Sequence, residues 1–430
     1  MTQQISAETA ADAPTLSPAR VRFALLALAL GGFGIGATEF VAMGLLPNLA
    51  ADLIPGVYAS DPAAANAQAG WLISAYALGV VVGAPTIAAA AARWPRKKLL
   101  LVLLTAFTLG TLASALLPTF GWVLAARFVA ALPHGAYFGI ASLVAASLMG
   151  PGKRARGVAL VLSGLTISNV IGVPAITWLG QLAGWRIAYI AVAAIFALTF
   201  LAVLISVPFQ AGDKTATMRN ELKAFGRAQV WFALGIGAIG FGGLFAVYSY
   251  VAPLVTEVTG LGASAVPLVL IVIGLGMTVG NFAGGWAADK SVRRSMFGFY
   301  AVMLVALLGL ALTAQTVAGL LVFVFLVGGA AAALSPTIQT RLMDVARDSQ
   351  SIAAALNHSA LNIGNALGAL LGGLAIAAGF GYVAPVWIGL GLTVLGLMIA
   401  VLSFSWDGLR RRRGEVLGYG TELIQTVTAR

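Results

Sequence analysis

The chain reads as twelve long apolar blocks separated by short polar connections. The blocks fall at about 22–47, 68–92, 99–117, 122–149, 157–180, 187–208, 228–253, 264–288, 296–315, 317–343, 351–375 and 383–405. A helix of roughly twenty apolar residues, rising ~1.5 Å per residue, crosses the ~30 Å hydrocarbon core of a bilayer. The blocks therefore predict an all-α membrane protein with twelve transmembrane helices. The polar connections are not alike. Those after blocks two, four, six, eight and ten carry Arg93, Arg96, Lys97 and Lys98; Lys153, Arg154 and Arg156; Lys214, Arg219, Lys223 and Arg227; Lys290, Arg293 and Arg294; and Arg347. Arg20 and Arg22 precede the first block, Arg410 to Arg413 come after the last, and the opposite side holds one basic residue, Arg186. The positive-inside rule puts both termini and the long central connection in the cytoplasm.

That central connection, 209–227, divides the blocks six and six. It predicts a cytoplasmic tail (1–21), an N-terminal six-helix bundle (22–208), a linker (209–227), a C-terminal six-helix bundle (228–405) and a basic cytoplasmic tail (406–430). Internal similarity supports the division. Gly83 and Arg96-Lys97 recur 197 positions on at Gly280 and Arg293-Arg294. Ser163, Leu165, Ile167, Asn169 and Gly172 recur 196 on at Ser359, Leu361, Ile363, Asn365 and Gly368. Gly34, Gly36 and Pro47 recur 206 on at Gly240, Gly242 and Pro253, the longer first outer loop accounting for the larger offset.

Composition narrows the function classes. Charged residues make up only 9% of the 430, against ~25% in a soluble domain. The formal net charge of +11 sits in the connections, so it marks topology and contact with anionic head groups, not nucleic acid. Residues 1–20 are polar, and the first apolar block is too long and Gly-rich for a cleavable signal core. The chain has no Cys and two His, which leaves no thiol chemistry, no expected metal site and no nucleophile–base constellation of an enzyme.

Chemistry concentrates in the first block. The stretch Gly31 to Pro47, GGFGIGATEFVAMGLLP, carries Glu39 in its outer third, the acidic side chain placed deepest in any block. A charge there costs a few kcal/mol on insertion scales, so an intramembrane carboxyl is read first as functional and second as a hydrogen-bonded structural group. Burial and a neighbouring cation act in opposite senses on the proton affinity of such a carboxyl. Arg127, five residues beyond Trp122, needs Glu39, a backbone carbonyl or water as a partner, or else snorkels over ~7 Å to the outer surface. His134 and His358 read as packed, hydrogen-bonded residues before they read as a proton relay. Tyr76, Tyr137, Tyr248, Tyr250, Asn169, Asn357, Asn362 and Asn365 line a cavity or bond across helices, and Phe33, Phe40, Met43, Phe241 and Phe245 offer an apolar wall.

With the repeats set out, residues 20–405 resemble a major facilitator superfamily transporter, and within it the twelve-span drug:proton antiporters. GATEFVAMGLLP with the adjoining AADL (36–53), LPHGAYFG (132–139) and LNIGNALGALLGG (361–373) are similar to the first-, fourth- and eleventh-helix signatures of the bacterial branch holding arabinose/sugar efflux permeases and chloramphenicol efflux proteins. The resemblance implies two six-helix bundles with the substrate site between them. It also implies proton-coupled export of a small neutral or cationic, apolar-to-amphipathic compound of the chloramphenicol type. A metabolite exporter, for a sugar such as arabinose, a nucleoside or an amino-acid derivative, is the second reading; a non-transporting membrane sensor is a distant third. Glu39 and Arg127 take the proton-coupling role. The substrate candidates are Phe40, Met43, Tyr76, His134, Tyr137, Asn169, Phe241, Tyr248, Asn357, His358 and Asn362. The loop-2/3 gate motif, with charge pairing at a helix end, is kept in the second half by Gly280, Gly284, Gly285, Asp289, Lys290, Arg293 and Arg294. The first half keeps Gly83, Arg93, Arg96, Lys97 and Lys98, with Ala92 where the Asp belongs. Gly164, Gly172 and Pro174 match part of the fifth-helix motif, which implies a rocking contact that seals the outward leak path. The resemblance implies a bacterial inner-membrane monomer that uses the proton gradient, with no cofactor and no metal, in contact with lipid.

Overall fold

Hydrocarbon offers no partner for a backbone N–H or C=O, so each crossing segment must satisfy its hydrogen bonds within itself. In a computed structural model of the protein, described over residues 17–91, 93–150, 153–210, 226–346 and 350–412, helix is the only regular element among the described residues. Twelve helices are long and apolar enough to cross a membrane: α1 (Pro18–Gly44), α2 (Pro62–Ile87), α3 (Arg96–Leu116), α4 (Phe120–Met149), α5 (Arg156–Ala183), α6 (Trp185–Ser206), α7 (Ala228–Ser249), α8 (Ala263–Lys290), α9 (Val292–Thr313), α10 (Val317–Ala346), α11 (Leu356–Ala377) and α12 (Ala384–Arg410). Residues 1–16, Ala92, most of the linker (211–225, with Lys214, Arg219 and Lys223), Arg347 and the tail from Arg413 lie outside the described residues.

Where helix ends depart from the apolar blocks, capping chemistry moves them. Ser17 Oγ accepts from the Arg20 amide (3.3 Å), so the first helix begins four residues before its apolar block. Asp61 Oδ1 accepts from the Ala63 and Ala64 amides (3.0 Å each), starting α2 at Pro62, ahead of residue 68. At its far end α1 gives way to short helices, Leu46–Leu53 and Pro55–Ser60, with Pro47 in the first turn of the former.

Helices α1–α6 and α7–α12 form two bundles, in which α1 packs on α5 and α6, α2 on α4, α7 on α11 and α12, and α8 on α10. Lipid gives no hydrophobic drive for helix pairing, so close backbone approach at small residues has to supply it. A β-carbon on Gly79 would strike the Phe128 carbonyl, and one on Gly83 the Leu132 carbonyl. In the second bundle, Gly276 meets the Phe325 carbonyl and Gly280 the Gly329 carbonyl. All four pairs map onto one another at the same 197-residue offset, so the sequence repeat is a repeat of contacts.

The fifth-helix glycines pack within their own bundle. Gly164 abuts the Ala29 carbonyl and Gly172 the Phe33 ring, both on α1 of the same bundle. The contact between α5 and α8 is made instead by the Asn169–Val170 backbone against Gly274. Pro174 comes just after a π-helical turn, Ser168–Gly172; the wider turn accommodates the missing proline N–H within a continuous span.

Further cross-bundle contact runs through α2–α11 and α1–α7. Asn66 Nδ2 donates to Tyr382 Oη (2.9 Å), Gln181 Nε2 to the Ala263 carbonyl (2.9 Å) and Ser74 Oγ to the Ala366 carbonyl (3.2 Å). These bonds lie on the side away from the termini. The gate-motif residues, on the terminus side, stay within their own bundles. Arg96 donates through its amide and Nη1 to Gln210 (3.0 and 3.5 Å), and Lys97 Nζ to the Leu204 carbonyl (2.8 Å). Lys290 lies over the Trp286 ring (3.4 Å), and the Arg294 amide donates to Ser291 Oγ (3.3 Å). Asp289 and Arg293 are exposed, and among the described residues Asp289 joins no ion pair. Among the described residues, then, no ion pair joins the gate-motif charges.

The close approaches predict an asymmetry between neighbouring glycines. Gly280→Ala forces its new methyl onto a carbonyl and should cost about 1–3 kcal/mol. Gly285→Ala, which meets open space, should be neutral or slightly stabilising by helix propensity. Thermal unfolding of the detergent-purified variants checks both signs.

Candidate functional site

Glu39 is buried, 5% exposed, on the α1 face turned toward the second bundle. Its Oε1 accepts a hydrogen bond from Asn365 Nδ2 of α11 at 3.1 Å, a bond between the two bundles. Its Oε2 stands 4.0 Å from His134 Nδ1 on α4. Tyr76 Oη from α2 approaches the same nitrogen at 3.4 Å. Beside the carboxylate, Phe40 stacks on Tyr248 (centroids 5.3 Å) and Phe245 (6.3 Å), and Phe241 continues the row against Phe245 (5.6 Å). Met43, fully buried, lies one turn beyond Glu39.

Arg127 does not snorkel: it is 1% exposed. Its Nη1 donates to the Thr38 carbonyl (2.7 Å) and its Nε to the Leu72 carbonyl (3.3 Å). The guanidinium lies over the rings of Tyr76 (4.7 Å) and Tyr189 (5.5 Å), where cation–π attraction adds to the hydrogen bonds. Backbone carbonyls, not Glu39, are thus its bonded partners. Because Thr38 precedes Glu39, the arginine fixes the backbone that presents the carboxylate and leaves the carboxylate itself unpaired by a strong cation.

The other candidates divide. His134 and His358 meet across the bundles with ring centroids 6.3 Å apart, and Phe138 stacks on His358 (5.6 Å, 3° between planes). Tyr137 turns into its own bundle, donating to the Leu28 carbonyl (2.9 Å) with its ring against Gly31. Tyr250 likewise donates to the Ala369 carbonyl (2.6 Å). Asn362 Nδ2 bonds back to the His358 carbonyl of its own helix (3.0 Å). The side-chain oxygens of Asn169, Asn357, Asn362 and Asn365 and the Tyr248 hydroxyl are buried with no hydrogen-bond partner among the described residues.

Two features escape sequence reasoning. By sequence Asn365 is one polar residue among many, although it is the repeat mate of Asn169; its partner Glu39 has Phe245 as its own mate, 206 positions on. The repeat therefore holds two asparagines and one acid, and that broken symmetry is the available signal. The second is a buried ion pair near the terminus side of the second bundle. Arg341 Nη2 donates to Asp407 Oδ2 (2.6 Å), Gln229 Oε1 and Ser403 Oγ (3.1 Å each), and Gln229 Nε2 donates to Asp407 Oδ1 (2.8 Å). Arg341 falls inside the tenth apolar block and Asp407 two residues past the twelfth, so no motif or spacing joins them.

A model of the Major Facilitator Superfamily matches residues 28–356 and 250–418. The chain is 38% identical over 387 residues to the inner membrane transport protein YdhP of Escherichia coli (strain K12), covering 90% of this chain and 96% of that one. It is 32% identical over 380 residues to the chloramphenicol resistance protein of Streptomyces lividans (87% and 95% covered). The crystal structure of a D-xylose-proton symporter superposes with a TM-score of 0.70 at 16% identity, over 89% of this chain and 97% of that chain.

The geometry at Arg127 predicts that charge alone does not suffice. Arg127→Lys keeps the cation but loses the planar fork that reaches two carbonyls while stacking on two rings. It should lower stability by about 1–3 kcal/mol through an unpaired buried carbonyl, read as a lower melting temperature, and Arg127→Met should lower it further.

Proposed function

The chain belongs to the Major Facilitator Superfamily, and from that premise we propose that it is a proton-coupled exporter in which Glu39 is the coupling carboxyl. Membership makes it a multi-pass membrane transporter of small molecules in a lipid environment. One observation carries the rest: a buried titratable group whose hydrogen bond crosses from one bundle to the other. A bond to an ionised acceptor is roughly twice as strong as one between neutral groups. Protonating Glu39 therefore weakens its grip on Asn365 and biases the rocking of the bundles. A proton shifts that equilibrium only if it binds the two states unequally, and a carboxylate bonded in one arrangement and released in another meets the condition. Protons enter from outside, bind Glu39, and leave to the cytoplasm as the substrate moves out.

The Phe40–Tyr248–Phe245–Phe241 row with Met43 suits an apolar-to-amphipathic compound, neutral or cationic beside one acid, and the similarity to a chloramphenicol resistance protein supports a drug-type substrate. A second reading, export of a hydroxyl-rich metabolite, draws on the unpartnered amide oxygens of Asn169, Asn357, Asn362 and Asn365. In both readings the termini are cytoplasmic, the working unit is a monomer in a bacterial inner membrane, and the proton gradient is the energy source.

Substrate-induced proton movement in inverted vesicles tests this, over a panel of drugs, sugars and nucleosides. The native chain should release protons on adding its substrate, and Glu39→Gln should reduce that release about tenfold or more. Response to chloramphenicol-like compounds selects the first reading, and response to a sugar or nucleoside alone selects the second. Undiminished exchange by Glu39→Gln would remove Glu39 from the coupling role.

A further inference from the structure

Glu39 has covered ground on one side and histidines on the other. The bonds Asn66–Tyr382, Gln181–Ala263 and Ser74–Ala366 close the bundles together on the side away from the termini. Toward the termini stand the only two histidines of the chain, one beyond the other. His134, 2% exposed, is beside Glu39, while His358, near the start of α11, is half-buried. We propose that His134 and His358 are a two-residue relay that carries the Glu39 proton toward the cytoplasm in this arrangement of the bundles. The proposal rests on the reading of Glu39 as the coupling carboxyl.

The distances fit stepwise transfer. Glu39 Oε2 and His134 Nδ1, 4.0 Å apart, need a small side-chain rotation to bond. Ring centroids at 6.3 Å leave facing nitrogens roughly 4 Å apart at closest, a gap that one bridging water spans. In the first step the Glu39 O–H bond breaks while an N–H bond forms at His134 Nδ1, and the carboxylate re-forms. The resulting imidazolium loses its other proton from Nε2 to a ring nitrogen of His358. His358 then releases a proton to water on the cytoplasmic side. His134 is left as the Nδ1–H tautomer and resets by exchange at its two nitrogens. Histidine serves this role because its two nitrogens are separate proton sites whose ordinary affinity lies near neutral pH.

The surrounding groups favour this direction. Arg127 is bonded to the Thr38 and Leu72 carbonyls, and a cation accepts no proton. The Tyr76 hydroxyl touches His134 Nδ1 and Tyr248 stacks beside Glu39 through Phe40; among the described residues the Tyr248 hydroxyl has no hydrogen-bond partner. Phe138 holds the His358 ring by stacking and also flanks His134 (5.5 Å), so the two imidazoles are positioned by a ring that cannot titrate. The competing account is that both histidines are packing residues of this aromatic cluster.

The test uses protons alone as the probe. The full chain, reconstituted in liposomes, is given a pH jump and the Glu39 carboxyl band is followed by time-resolved infrared spectroscopy, with Glu39→Gln assigning the band. In His134→Gln and His358→Gln the carboxyl should reach its native end point at least about tenfold more slowly, the scale of a lost acid–base group. Imidazole in the buffer should restore the rate for the half-buried His358 variant. Phe107→Leu, which disturbs a stack on Phe196 inside the first bundle and removes no proton site, should remain within about twofold of native. Native rates in both histidine variants, or an equal slowing in Phe107→Leu, would overturn the relay and leave the Glu39 reading standing. A band that does not depend on Glu39 overturns that reading and the relay with it. If His134→Gln does not fold, His358→Gln with its imidazole rescue decides alone.

Discussion

Everything in this molecule turns on how an ionisable group at membrane depth is held. A charge in hydrocarbon needs a partner, and the choice of partner determines whether it is permanent or switchable. Arg127 is held within one bundle: two backbone carbonyls accept from its Nε and Nη1 and two aromatic faces flank it, all from its own bundle. Glu39 is held by one amide from the opposite bundle. A group whose partner rides on a different rigid body is satisfied only while the two bodies keep their relation. The cost of desolvating the carboxylate is thereby linked to bundle position, which is what coupling a proton to a conformational change requires.

That linkage demands stiff bundles, and the glycines supply them. Gly79 and Gly83 against α4, and Gly276 and Gly280 against α10, bring backbones into contact with no side chain between. Contacts of this kind tolerate little sliding, so they stiffen the α2–α4 and α8–α10 pairs. The repeat at an offset of 197 makes these two helix pairs alike. The likeness fails at the site: position 39 carries an acid and its mate 245 a phenyl ring, although both repeats keep the asparagine.

The fold is legible in the sequence because lipid imposes a one-dimensional code. Block length gives span number, and offsets near 197 give the repeated helix contacts of the two bundles. The site is legible only in part, because hydropathy carries no information on how each helix is rotated about its axis. Glu39, Phe40, Tyr76, His134, Tyr248 and His358 do converge. Tyr137 is indistinguishable from Tyr76 by composition, yet one faces Leu28 inside its bundle and the other faces His134. The Gly164–Gly172 face is a close-packing surface, as its spacing suggests, but its partner is α1 within the bundle. Arg127 has three candidate partners by sequence, and only the three-dimensional packing selects the carbonyl.

The Arg341–Asp407 pair shows the other solution to the same physical problem. Here acid and base belong to one bundle, with Gln229 and Ser403 adding further hydrogen bonds. A buried ion pair so enclosed gains little net stability over an apolar packing, but removing one member strands the other at high cost. It therefore ties α7, α10 and α12 together near the terminus side of the second bundle. Placing the enclosed pair within a bundle and the singly bonded carboxylate between bundles assigns rigidity and mobility to different charges.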